Sequence, residues 1–434
     1  MKAGGKSLKR YAVEEAHQYY REAYELLLNK TEKTREDELL LIDLILDWAM
    51  VFYYRADCIA FEKLFVAHEA LAETLDDKQR LGMFFAWLGF IVYSREKYRD
   101  SYQYLHKAIK IGQTIQDDRI IGYACTWLTW TCCELGLLDK AIDNGGRAQK
   151  ISKILDSDHY LFFKSLGGIG LAYNYKGEIK NILEAGKRLL DFGQRHSNIR
   201  SIFLGYQTIG LSHMMAGNFE LAKEFARKAA SVSVDPIYSI SGKMALCFIC
   251  SMHGQLMEIE EEIKEIETFS RNNGYEVWGS PARMLYGAIC IAKGRMSHGL
   301  KIIETVQQEY KENGRKFMLG YSEQVLANIY LQIVKGAKSA SLFTMAKNIG
   351  FLIKNVPSAA EKAEKHLHKA LEIAEEIGSK GNIAMICLDL GRLHKTKNRT
   401  REAKDCISRA IKVFEEIEAE TFLQQAKEAL ASLE

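Results

Sequence analysis

Cys247 and Cys250 stand in CxxC spacing within "LCFICSMHG", and His253 follows three residues later. Thiolate and imidazole are zinc ligands, but a closed structural site needs four donors and usually a second pair. These residues belong to an apolar run of helical period, where a cysteine serves as a small hydrophobe. "GGKS" at residues 4–7 matches the end of a phosphate-cradling loop, yet neither the motif's earlier glycine nor its strand precedes it in this sequence. His366 and His368, two apart in "EKHLHKA", point to different sides of a helix. Neither HExxH nor G-x-S-x-G occurs, and the carboxylates gather in runs such as "EIEEEIKEIE" that pair with lysine at i,i+4. No nucleophile, base and oxyanion donors come together. The expectation is a protein without catalytic residues, metal or cofactor, and not an enzyme.

The densest cluster is "LGRLHKTKNRTREAKDCISRAI", Leu390 to Ile411, where His394, Asp405 and Cys406 accompany Arg392, Lys395, Lys397, Arg399 and Arg401. Five cations suit phosphate contacts. They lack the interleaved aromatics that stack bases, and 59 Lys+Arg against 56 Asp+Glu leave a formal charge of only +3. A solvated turn is expected, and no nucleic acid partner.

The same stretch carries a spacing. Ala403 follows Gly391 by twelve residues and Ala410 follows by seven more. Gly89, Ser101 and Ala108 repeat those offsets, as do Thr129, Ala141 and Ala148, and Gly210, Ala222 and Ala229. First slots at Ala49, Gly89, Thr129, Gly170, Gly210, Cys247, Gly287 and Ala327 are 37 to 41 residues apart, and the step to Gly391 is one period plus 24. Such self-similarity marks a solenoid. A small residue late in one helix admits a second helix closely, and small residues two turns apart lie on one face of that second helix. Only three prolines in 434 residues agree with nearly all helix. Ile182 and Leu189, Ile259 and Ile266, and Phe61 and His68 replace the small residues in three units, predicting looser or shifted packing there.

These slots, with aromatics such as Tyr173 and Tyr330 three residues after the first, resemble the tetratricopeptide repeat in a longer version of its usual 34-residue period. The resemblance implies an all-α, right-handed superhelical α-solenoid of helix pairs with a period near 40 residues and about nine repeats over 12–434. The phrases "FFAWLGFIVYSREKYRDSYQYL", "IGYACTWLTWTCCELGLLDKAI", "FGQRHSNIRS", "TMAKNIGFLIKNVP" and the Leu390–Ile411 stretch together resemble the C-terminal repeat region of bacterial signalling proteins that join a class III adenylate or guanylate cyclase and an AAA-type ATPase to such repeats. That likeness runs from about Gly4 to the end and implies a regulatory or sensory arm acting with upstream cyclase and ATPase domains. A free-standing sensor of a peptide or small ligand is the alternative, although no DNA-binding helix-turn-helix is evident.

In this repeat class the first helices line the concave surface through residues six and three before the first slot and one, four and five after it. Those positions bring Met83, Phe90, Tyr93, Tyr123 and Trp130 from two early units. Later units bring Gln207, Leu211, Met214 and Met215, then Met244, Phe248 and Met252, then Met284. So apolar a lining suits a protein or amphipathic peptide segment, or else is simply core.

Gly4, Ala16 and Ala23 fit the three slots without a first helix ahead of them, so residues 1–11 are expected to be a linker from a missing upstream region. Residues 334–358 read as an inserted amphipathic helix, either a strut between two repeats or a docking element, and 416–434 as a capping helix. Nine scattered cysteines and the lack of a long apolar run point to a cytoplasmic protein without membrane attachment.

Overall fold

The computed structural model describes residues 1–156, 158–232, 235–334 and 355–433, and these form twenty-one α-helices without a strand. The first helices of successive pairs are α1 (Lys2–Lys9), α3 (Arg35–Arg55), α5 (Lys78–Ser94), α7 (Asp118–Glu134), α9 (His159–Lys176), α11 (Ile199–Met215), α13 (Pro236–Met252), α15 (Glu276–Ala292), α17 (Lys316–Val334) and α19 (Lys380–Thr396). Their partners are α2 (Val13–Leu28), α4 (Cys58–Thr74), α6 (Tyr98–Ile115), α8 (Leu138–Ile154), α10 (Ile179–Arg195), α12 (Phe219–Val232), α14 (Glu260–Asn273), α16 (Met296–Asn313), α18 (Ala359–Glu376) and α20 (Thr400–Ile417), followed by α21 (Glu420–Ala431). Asp57, Asp77, Asp117 and Asn198 each accept a backbone N–H at a helix start, and Thr34 with Asp37 forms a capping box on α3.

The spacing works through close approach. A Cβ on Gly391 would lie 2.3 Å from Ile407 Cγ1, and one on Gly89 would lie 2.4 Å from Leu105 Cδ2, in both cases the residue sixteen positions on. Gly287 faces Ile303 in the same way and the Gly299 carbonyl twelve positions on. Ala108, Ala141, Ala148, Ala222, Ala229, Ala403 and Ala410 are wholly buried, and Gly170 and Gly210 are buried with them. Where the slots are large the geometry shifts: before α14, a 3-10 turn at Leu256–Ile259 replaces the start of the second helix, with Ile259 and Ile266 buried.

Three expected boundaries change. Residues 2–9 are not linker but helix, with Gly4 against the Tyr20 ring of α2. The capping helix begins at Glu420, since Glu416 and Ile417 complete α20, and it buries Phe422, Leu423 and Ala426. Of the inserted helix expected over 334–358, residues 335–354 lie outside the described residues, Val334 ends α17, and Val356–Ser358 form a 3-10 turn. Its flanks do show where the extra length enters: α17 packs directly on α18, and Ala363 and Ala370, both wholly buried, take the second and third slots. The insertion interrupts one unit rather than separating two.

Five pairs complete a turn, and the second turn sits on the first: α3 meets α13, α5 meets α15, α7 meets α17 and α9 meets α19. The turns within early pairs stack on the turns between later ones. Tyr11 Oη donates to Ser197 O at 3.2 Å, Arg95 Nη1 to Gly274 O at 2.7 Å, and Ser379 Oγ to Tyr175 O at 2.5 Å. Gly177, at φ +79°, comes so close to α19 that a Cβ would lie 2.5 Å from Gly381 N, which only glycine permits. Tyr175 and Phe317 stack with centroids 3.7 Å apart and an interplanar angle of 4°.

Two buried ionic clusters lock this seam. Arg200 pairs with Asp235 at 2.6 Å while lying over the rings of Tyr54 and Tyr11. Arg315, 1 % exposed, reaches Glu96 Oε1 and Glu134 Oε2, each at 2.5 Å, and Ser280 Oγ at 3.1 Å. Burial pushes the Glu96 carboxyl up, while Arg315 and Ser280 pull it down.

Candidate functional site

Winding two turns of first helices around one axis leaves a lumen, a cavity of about 750 Å³. Five consecutive units supply most of its wall through the repeat positions that face inward. In the unit of Gly170 these are Lys164, Gly167, Leu171, Asn174 and Tyr175; in that of Ala327 they are Tyr321, Gln324, Asn328, Leu331 and Gln332. The wall mixes adaptable apolar groups with amides. Gln324, Asn328 and Gln332 share one face of α17 at i, i+4 and i+8, and Gln207 Nε2 donates to Ser241 Oγ at 3.0 Å.

Nine of the thirteen concave-surface candidates border the cavity: Tyr93, Trp130, Gln207, Leu211, Met214, Met215, Phe248, Met252 and Met284. Met83, Phe90, Tyr123 and Met244 do not. Phe90 is wholly buried against Tyr53, Phe61 and Trp127, Tyr123 lies between Trp87 and Tyr160, and Met244 is wholly buried. Met83 is half-buried against the core. The physical reason is ring packing between neighbouring helices: the partners of Phe90 and Tyr123 lie on α3, α4, α5, α7 and α9 and fill the space between them.

Sequence reasoning passed over Lys164, although its place six residues before Gly170 follows the same rule. The side chain is 6 % exposed, with Nζ 4.1 Å from the Trp130 ring centroid, 4.8 Å from that of Trp127 and 5.3 Å from that of Tyr53. Trp130 Nε1 donates to Lys164 O at 3.0 Å and ties α7 to α9. Burial brings the ammonium down to a pKa of about 7.

The clusters that suggested chemistry are placed apart from the lumen or within packing. Cys247 and Cys250 are buried and their thiols pushed up by burial, while His253 is exposed with Nδ1 3.0 Å from Gln255 Oε1. Among the described residues no group of three or more His, Cys, Asp and Glu is arranged to hold a metal ion. Residues 4–7 lie within α1 and not in a loop between a strand and a helix, as the phosphate-cradling motif requires. His366 Nδ1 meets Glu323 Oε2 at 2.5 Å, and His368 is exposed elsewhere on α18. The basic turn is mostly spoken for: Lys397 and Arg399 share Glu364, Lys395 donates to Ser432 O and Oγ, and Arg392 lies 3.6 Å from Asp389. Among the described residues no helix is long and apolar enough to cross a membrane.

No curated protein matches the sequence. A model of the anaphase-promoting complex subunit 5 family matches residues 60–133 and 349–434. Among solved structures, the fold is similar to that of a Rap protein complexed with competence and sporulation factor, at 11% identity and a TM-score of 0.55 over 86% of this chain and 96% of that one. It is similar also to NprR in complex with its cognate peptide NprX, at 10% identity and a TM-score of 0.52 over 80% of this chain and 96% of that one. The chain is a tetratricopeptide-like α-solenoid.

Proposed function

We propose that the protein is a non-catalytic receptor module that takes a short apolar peptide segment into its lumen. The observation that carries this is the lumen itself: a cavity in the size range of ligand pockets, walled by methionine and aromatic side chains and by amides able to pair with a peptide backbone. A helix with side chains is about 10–12 Å across, so, of the protein or amphipathic peptide segment expected, a cavity of about 750 Å³ suits a short peptide segment. Two solved structures of similar fold hold competence and sporulation factor and the cognate peptide NprX, which supports the reading. Coupling to cyclase and ATPase domains in a cytoplasmic signalling protein is the finer version and rests on the sequence phrases alone.

The test is affinity capture of an apolar peptide pool, five to eight residues long, on the full chain and on Met215→Asp and Phe248→Asp. Lost capture with unchanged melting is expected; a fall in melting temperature without any capture by the native chain would refute the reading.

A further inference from the structure

Three cations line the lumen among the described residues, and two already face carboxylates: Arg315 meets Glu96 and Glu134, and Arg392 meets Asp389. Lys164 meets none. Neither a hydrogen bond nor an ion pair from the described residues reaches its Nζ, which ends among the rings of Trp130, Trp127 and Tyr53. Ring faces recover only a small part of the hydration that a cation loses when it is buried. A lysine at the edge of a core ordinarily snorkels its head into bulk water. This one is nine-tenths buried and borders the cavity instead, and its lowered pKa has burial as its sole cause.

We infer that Lys164 anchors one carboxylate of the lumen's ligand, presented either by a peptide C-terminus or by an acidic side chain within the peptide. The inference rests on the lumen-binding reading above and adds to it the charge and the direction of the occupant. In its protonated form, which prevails below about pH 7, Lys164 offers three donors and no acceptor and so calls for an anion or acceptor oxygens. As a compact point charge it suits one carboxylate rather than a flat two-pronged pairing. The rest of the wall supplies amides and apolar groups and no second unmatched cation among the described residues, so a ligand with two negative charges leaves one unmatched. The chemistry selected is an apolar segment with a single negative charge held at the α9 side of the lumen.

The experiment uses the full chain and a pool of hexapeptides of Leu, Met, Phe and Ala made in three forms: free acids, C-terminal amides, and C-terminal amides with one Glu. Captured members are quantified by mass spectrometry and the best are titrated by fluorescence anisotropy. At least one carboxylate-bearing form is expected to bind about tenfold more tightly than the neutral amides, and which form does so identifies the source of the carboxylate. Lys164→Met should bind all forms alike, Lys164→Arg should keep part of the preference, and a melting scan verifies that both fold. Equal affinity of acids and amides for the native chain, or a preference that survives in Lys164→Met, overturns the inference while leaving the lumen reading intact. Absence of binding by every form removes the lumen reading and this inference with it.

Discussion

The first helices α5 and α7 and the first helices α9 to α17 occupy the same place in the repeat, yet they meet different surroundings. In α5 and α7 most inward positions are closed off: Phe90, Tyr123 and Thr126 are core, and Tyr93 and Trp130 reach the lumen. In α9, α11 and α17 the same positions open onto the lumen and carry Lys164, Asn174, Gln207, Gln324 and Asn328. The repeat position therefore specifies a direction, and the side chains of the surrounding helices decide what lies there. Among the lumen helices, α17 places Gln324, Asn328 and Gln332 on one stripe that borders the cavity.

Substitutions at equivalent positions of the two regions sharpen that contrast. Phe90→Ala empties a fully buried ring site and should cost roughly 4 kcal/mol, read as a shift in urea midpoint. Arg315→Met strands Glu96 and Glu134 without their cation and should cost about 3 kcal/mol, with part recovered by adding Glu96→Gln. For Lys164 the sign comes from linkage. Its folded pKa of about 7 lies below the 10.5 of an exposed lysine, so between those values the unfolded chain holds a proton that the folded chain has released. The native chain should therefore gain on the order of 2 kcal/mol relative to Lys164→Met as pH rises from 7 to 9. A native-to-variant difference that stays flat with pH would show an exposed or paired ammonium. Met215→Ala, at a half-buried lumen position, should change stability by less than about 1 kcal/mol and act on peptide capture instead.

Much of the fold was legible because its determinants are local and periodic. Gly391, Ala403 and Ala410 pack where their offsets required, and the turns fall between them. The seam was not legible. Gly177 against Gly381, and Arg315 against Glu96, are partners across a superhelical turn, and no spacing within one unit registers them. The site was half legible for the same reason: the offsets pointed to Gln207 and Met215, misassigned Phe90 and Tyr123, and reach Lys164 once applied to the unit of Gly170. Residues 2–9 were misread as linker because no first helix was evident ahead of Gly4, whereas they form a short helix of their own with Gly4 against the Tyr20 ring.

The closed seam also dictates a timetable. An ordinary solenoid contacts only its neighbours and can fold as it is made. Here Tyr11 waits for Ser197, and Glu134 for Arg315, across separations of 186 and 181 residues. A ribosome adding about 5–20 residues per second needs roughly 10 to 40 s to deliver each partner. Throughout that interval the early helices lack the second turn, and Tyr53, Glu134 and Tyr175 lack the Tyr238, Arg315 and Phe317 that they meet in the folded chain, an incomplete surface of the sort that chaperones bind. The chain's birth is thus slower, and more dependent on assistance, than its regular repeats suggest.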